Sequence, residues 1–302
     1  MKKFHGITPA FYACYEDNGE ISPERTRQLA AHLVKKGVQG LYVGGSSGEC
    51  IYQSVSERKI VLENVMEEAR GKVFVIAHVA CNNTRDSQEL ASHAQSLGVD
   101  AIAAIPPIYF HLPEHAIAKY WNDISAAAPD TPFVIYNIPQ LAGVALTLSL
   151  FREMLKNPRV VAVKNSSMPT QDIQMFKMYG GEGFTVFNGP DEQFVAGRLI
   201  GADGGIGGTY ACMPELYLAA DRFVIEGKNT EATMIQNDID AIIYKFGEAK
   251  GNLYAVMKAV MKKREGLCLG SVRLPLPPLF PGDETVVDEA AVMIDKAIAK
   301  YC

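Results

Sequence analysis

The sequence predicts an α/β fold: a (β/α)8 TIM barrel with a C-terminal helical appendage. Three observations predict it. Short runs of small and β-branched apolar residues, the mark of strands buried on both faces, alternate eight times with amphipathic helical segments. The eight units take up roughly 225 residues, a length that suits a closed barrel of parallel strands with right-handed crossovers. The Gly-x-Gly-x-x-Gly turn that a doubly wound sheet would place after its first strand is absent. The glycines from 204 to 208 imitate it only at the far end of the chain and read as close packing or substrate approach.

Each unit follows from local rules. Gly6 to Cys14 is apolar and strand-like, with Thr8-Pro9 near its middle. Ser22-Pro23 then supplies an N-cap followed by proline at the first helical position. Leu29, Ala30, Leu33 and Val34 share one face of that helix, and Gly37 and Gly40 end it. Leu41 to Val43 is the second strand, running into Gly44-Gly45-Ser46-Ser47-Gly48-Glu49. Ser54 to Glu57 reads as a capping box, and the helix after it is expected to carry Ile60, Val61 and Val65 inward. Val73 to Val79 is the third strand, followed by a helix from Thr84 with Leu90, Ala91, Ala94 and Leu97. Ala101 to Ile105 is the fourth, stopped by Pro106-Pro107, with a helix from Pro113 to about Ala128. Pro132 to Asn137 is the fifth, with a helix opening near Thr147. Val160 to Val163, Phe184 to Phe187 and Gly204 to Gly208 complete the set, with helices after Pro169 and around Phe194. Helical segments near 213–227, 230–248 and 251–265 follow, the first expected to close the barrel. A proline-rich connector from Leu274 to Pro281 leads to a last helix from about Glu284 to Lys300. The expected division is residues 1–227 for the barrel and 228–302 for the helical domain.

Composition narrows the function class. With 302 residues, 48% hydrophobic and 21% charged, the chain has an ordinary soluble globular make-up. A net charge of -5 gives no electrostatic case for nucleic acid or an anionic membrane surface. Met1 to Gly6 has no apolar region behind its lysines, so no secretory signal is expected there. No apolar run approaches the ~20 residues of a membrane span. Six scattered cysteines without a CxxC pair read as reduced cytoplasmic thiols. Cys50, beside the glycine-rich loop, is either a filler or a reactive thiol.

In barrels of this class the active site lies at the C-terminal strand ends. The most informative residue there is Lys164, which ends the run Val160-Val161-Ala162-Val163. It is either a surface lysine snorkelling past a strand end or an amine whose pKa burial lowers, able to attack a carbonyl and form a Schiff base. Tyr136, at the end of the fifth strand, is either inner packing or a proton shuttle. Ser46 and Ser47 are either a plain loop or a carboxylate seat of hydroxyls and backbone N–H groups. Asp191 and Glu192, at a helix start, are either caps or acceptors for the hydroxyls of a polyol. His111 and His115 have i,i+4 spacing, but Pro113 lies between them and no third ligand is evident, so no metal site is expected.

Five stretches together carry a resemblance: GGSSGE (44–49), YNIP (136–139), VVAVKNSS (160–167), FNGPDE (187–192) and GADGGIGGTY (201–210). They are similar to the N-acetylneuraminate lyase / dihydrodipicolinate synthase superfamily, Schiff-base aldolases on a (β/α)8 barrel that are usually homotetramers. The resemblance spans nearly the whole chain. It implies that Lys164 is the Schiff-base lysine and Tyr136 the proton donor and acceptor. It implies that Ser46 and Ser47 hold a 2-keto acid carboxylate, and that Tyr109 joins a proton relay across a subunit interface. No metal or organic cofactor is implied. The synthase branch has an arginine where this chain has Leu141. Gly189, Asp191 and Glu192 match the sugar-binding motif of the lyase branch, and Ser166 stands where that branch has a substrate-binding threonine. Two departures remain: Gly208 replaces a substrate-binding serine, and Gly270 to Pro275 looks more like the synthase. The implied activity is cleavage of N-acetylneuraminate to N-acetylmannosamine and pyruvate. The alternative is dihydrodipicolinate synthase or another pyruvate-dependent sugar-acid aldolase or dehydratase.

Overall fold

A computed structural model describes residues 4–302; the first three residues of the N-terminal segment discussed above lie outside it. Eight strands form one parallel sheet: β1 (Gly6–Pro9), β2 (Gly40–Val43), β3 (Phe74–His78), β4 (Ala101–Ala104), β5 (Phe133–Asn137), β6 (Val160–Asn165), β7 (Thr185–Asn188) and β8 (Gly204–Gly207). Neighbours pair in chain order from β2 to β8, and β8 pairs with β1. The remaining seam is bridged where Ala10 pairs with Tyr42, with Phe11 N–H donating to the Tyr42 carbonyl. This is the expected barrel.

The helices are α1 (Pro23–Lys35), α2 (Val55–Ala69), α3 (Thr84–Ser96), α4 (Glu114–Ala126), α5 (Pro139–Ala142), α6 (Leu148–Met154), α7 (Gln171–Gly180), α8 (Phe194–Leu199), α9 (Pro214–Ile225), α10 (Asn229–Phe246), α11 (Leu253–Glu265) and α12 (Asp283–Tyr301). Ser22 caps α1 by accepting from Arg25 N–H, and Ser54 and Glu57 form the capping box of α2. Helix α9 packs on β1, and α10 and α12 pack on α9. Among the described residues no helix is long and apolar enough to cross a membrane.

Strand alternation divides the apolar residues into two cores. One lies between the strands and the helices. The other fills the barrel and contains Tyr42, Phe74, Ile76, Ala103, Val134, Tyr136, Ala162 and Phe187.

Three expectations are corrected. The first strand ends at Pro9 and does not extend to Cys14. Beyond it, Ala10 joins the barrel interior, while the C-terminal segment covers Tyr12 and Tyr15: the Tyr12 hydroxyl reaches Met257, and Tyr15 packs under Lys258 and Arg273. Ile60 faces outward, since α2 buries Val61, Leu62, Val65 and Met66 and leaves Ile60 on its flank. The four-residue α5, too short to show a helical period, was not foreseen.

Candidate active site

The C-terminal strand ends surround a cavity of about 270 Å³. Nine of the sequence-derived candidates line it: Ser46, Ser47, Tyr136, Lys164, Ser166, Gly189, Asp191, Glu192 and Gly208. Tyr109 does not. It is 87% exposed on the loop after β4, at positive φ (84°), with its ring against Phe110.

Lys164 is 4% exposed and faces the barrel interior. Its register explains its neighbour. Between β5 and β6 the pairing slips by one residue, from Phe133 opposite Val160 to Val134 opposite Ala162. Val161 is thereby extruded, and Lys164 falls opposite Tyr136. A bulge of this kind re-aims the side chains beyond it. The Lys164 Nζ lies 4.0 Å from the Tyr136 ring centroid and 4.4 Å from that of Tyr42. No carboxylate stands within ion-pair distance of it among the described residues. Burial therefore dominates, and the amine is pushed down to about 7, with the more distant Asp191 charge pulling it partly back. The snorkelling alternative is excluded by this placement.

Tyr136 is buried and pushed up to about 12 by desolvation, while interaction with the Ser46 and Ser166 hydroxyls pulls it partly back. At the strand ends, Asn137 Nδ2 donates to Asn165 Oδ1 at 2.8 Å, and Ser166 N–H donates to the Asn137 carbonyl at 2.7 Å. These bonds fix the mouths of β5 and β6 together. At Gly189 a side chain would collide with the Ser166 Oγ, so only glycine allows β7 to approach β6 this closely.

Ser46 to Gly48 forms a 3₁₀ turn. Ser47 Oγ lies 3.0 Å from the Tyr254 hydroxyl. On the opposite wall, Asp191 Oδ2 accepts from Thr209 N–H and Thr209 Oγ1, each at 2.7 Å. One oxygen of Asp191 is thus committed to the fold, which the motif alone did not indicate. Desolvation raises Asp191 to about 6 against the pull of those two bonds. Of the glycines expected to pack closely or approach substrate, Gly204 abuts the Gly6 backbone and Gly208 borders the cavity. Leu141, 61% exposed, stands with Gln140 at the cavity edge, and among the described residues no arginine lines it. Arg273 points elsewhere, bonding Glu57, the Tyr52 carbonyl and the Gly19 carbonyl. The Cys50 thiol lies outside this cavity and is raised by burial, against the pull of Arg58, which favours the filler reading.

Sequence reasoning missed three side chains. Tyr42 is fully buried, its hydroxyl has no hydrogen-bond partner among the described residues, and its ring meets Tyr136 edge-on at 5.7 Å. Alternation along Leu41-Tyr42-Val43 could have placed it inside. His78 is buried beside Tyr136 and pushed down to about 3, chiefly by desolvation, so its imidazole is neutral. Tyr254 comes from α11, beyond the eight units. A signal for α11 was present: Lys258 falls among Ala255, Val256, Met257 and Val260, an apolar face where a lysine needs a buried partner.

Comparison with known proteins agrees with this architecture. The chain matches the model of the dihydrodipicolinate synthetase family over residues 3–294. It is 66% identical to an N-acetylneuraminate lyase of Mediterraneibacter gnavus over 301 residues, covering 100% of this chain and 96% of that one. The solved wild-type sialic acid aldolase of Ruminococcus gnavus is 66% identical and superposes with a TM-score of 0.99, covering 100% of both chains. A variant of that aldolase, described as a catalytic lysine mutant, superposes at 0.98, covering 99% of this chain and 98% of that one. By sequence and by structure, the chain belongs to the dihydrodipicolinate synthetase family.

Proposed function

We propose that the protein is a Schiff-base carbon–carbon lyase that cleaves N-acetylneuraminate to N-acetylmannosamine and pyruvate. The observation that carries this reading is Lys164, an amine lowered to about 7 in an aromatic cage at the floor of a cavity with hydroxyls on one wall and carboxylates on the other. The names of the 66% identical relatives support the substrate.

In this mechanism the neutral Lys164 amine attacks the C2 carbonyl of the open-chain keto acid. Loss of water from the carbinolamine leaves an iminium. Ser46 and Ser47 hold the C1 carboxylate with hydroxyls and turn N–H groups. The C4 hydroxyl loses its proton, C4 becomes the aldehyde of N-acetylmannosamine, and the C3–C4 bonding pair enters the iminium to give an enamine. Protonation at C3 and hydrolysis release pyruvate and restore the amine. Tyr136 carries these protons. The iminium's fixed positive charge beside the phenol offsets the desolvation that holds Tyr136 near 12. Glu192, the free oxygen of Asp191, Gly189 and Ser166 face the sugar chain, with Gly208 at its margin.

Leu141 and Gln140 argue against a synthase, because among the described residues no arginine lines the cavity to hold a second substrate's carboxylate. The reading also includes a homotetramer, with Tyr109 of one copy serving the site of another, and a cytoplasmic setting, supported by six unbonded thiols. It retains the division into a barrel (1–227) and a helical appendage (228–302).

The test of substrate is direct. Incubation with N-acetylneuraminate is expected to release pyruvate in a lactate dehydrogenase-coupled assay. No release, together with consumption of pyruvate and aspartate semialdehyde, would establish the synthase instead.

A further inference from the structure

Helix α11 lies outside the eight βα units, yet it grips the Ser46–Glu49 turn at two points. Tyr254 and Lys258 are one helical turn apart on the same face. The Tyr254 hydroxyl stands 3.0 Å from Ser47 Oγ. Lys258 Nζ stands 2.8 Å from Glu49 Oε1 and 2.8 Å from the Ser271 carbonyl oxygen, and both side chains of this ion pair are shut away from solvent. The other Glu49 oxygen accepts from Arg273 N–H at 2.8 Å. Glu49 itself is left-handed, at φ 54°. A non-glycine residue holds that conformation only where its surroundings impose it, and here the Lys258 pair does so. The Tyr254 ring is in turn fixed edge-on by Tyr12, whose hydroxyl donates to the Gly208 carbonyl at 2.6 Å. A first side-chain carbon at Gly208 would lie 3.2 Å from Ser47 Oγ and 3.5 Å from the Tyr254 oxygen, so the two hydroxyls sit together beside Gly208 at the cavity.

We infer that Tyr254 is a positioning residue of the carboxylate-binding turn, which makes α11 part of the active site. The inference rests on the function proposed above. Ser47 is the hydrogen-bond partner of the Tyr254 hydroxyl among the described residues. With Tyr254 donating, the Ser47 oxygen accepts from the phenol and its own proton is directed into the cavity, toward the substrate carboxylate. The reverse orientation would aim the Ser47 lone pairs at an anion. Two hydroxyls in series also polarise one another, which strengthens the terminal donor.

Tyr254→Phe removes the hydroxyl and keeps the ring. Two measurements are made on both chains: the Kd of pyruvate by calorimetry, and KM and kcat for N-acetylneuraminate. The variant is expected to bind pyruvate about tenfold more weakly and to raise KM by about the same factor, with kcat within about twofold of the parent. Its melting temperature is expected to stay that of the parent. Equal pyruvate affinity in the two chains, including no binding by either, overturns the inference. So does a fall in kcat accompanied by a lower melting temperature, which would mark a purely structural role. If the parent binds pyruvate but releases none from N-acetylneuraminate, the proposed substrate fails; the tenfold difference in Kd would still establish the positioning role.

Discussion

At the scale of the residue, the proposed chemistry turns on an amine that burial lowers to about 7, so that a substantial share of it is neutral near physiological pH. Lys164 is pushed down to about 7 because burial strips its ammonium of water, with the Asp191 charge pulling it partly back. Attack on a carbonyl needs the free amine. The neutral fraction grows as pH rises through 7, so kcat/KM is expected to rise over the same interval, and a pH profile checks this. The Asp191 charge raises the Lys164 pKa. Asp191→Asn removes that charge and lowers the pKa, so the acid limb of the profile is expected to move to lower pH. A limb that stays in place would show that Asp191 does not reach the amine. Lys164 was legible as a candidate because lysine is foreign to a buried parallel strand. Asp191 was legible only in part: the motif marks it as an acceptor, but its bonds to Thr209 join segments 18 residues apart and leave no local trace.

At the scale of the element, helix caps and strand runs were readable because they are local. Ser22-Pro23 and Ser54 to Glu57 start helices where the capping rules require. Ser54→Ala removes one acceptor from the first turn of α2 and is expected to cost about 1 kcal/mol in denaturant unfolding, with KM unchanged. Elements defined by their partners were not readable. The slip at Val161 that aligns Tyr136 with Lys164 depends on which residues of two strands pair, and the apolar run Val160 to Val163 is the same with or without it. The stretch from Ala10 to Cys14 imitates strand because it is buried, Ala10 in the barrel interior and Tyr12 against Met257 of the C-terminal segment. Helix α11 was foreseen as a helix, but its reach over the strand ends to Ser47 and Glu49 spans more than 200 residues, so periodicity could not reveal it.

At the scale of the whole molecule, eight repeats of one local pattern specify a closed barrel, and the strand-end rule then converts strand order into a site. That is why nine candidates from five separated motifs meet at one cavity. Tyr109, the tenth, lies outside it, with Phe110 also exposed beside it. In the proposed homotetramer these adjacent exposed aromatics would lie at a subunit contact. Sedimentation equilibrium is expected to give four times the 32.9 kDa chain mass, and a monomer at micromolar concentration would count against the shared site. The central claim, that Lys164 forms the imine, is tested most directly by borohydride reduction in the presence of pyruvate, followed by peptide mass spectrometry. The account predicts one reduced pyruvate adduct per chain, located on Lys164, and none on Lys164→Met. An unmodified Lys164 at saturating pyruvate, or an adduct on another lysine, would contradict it.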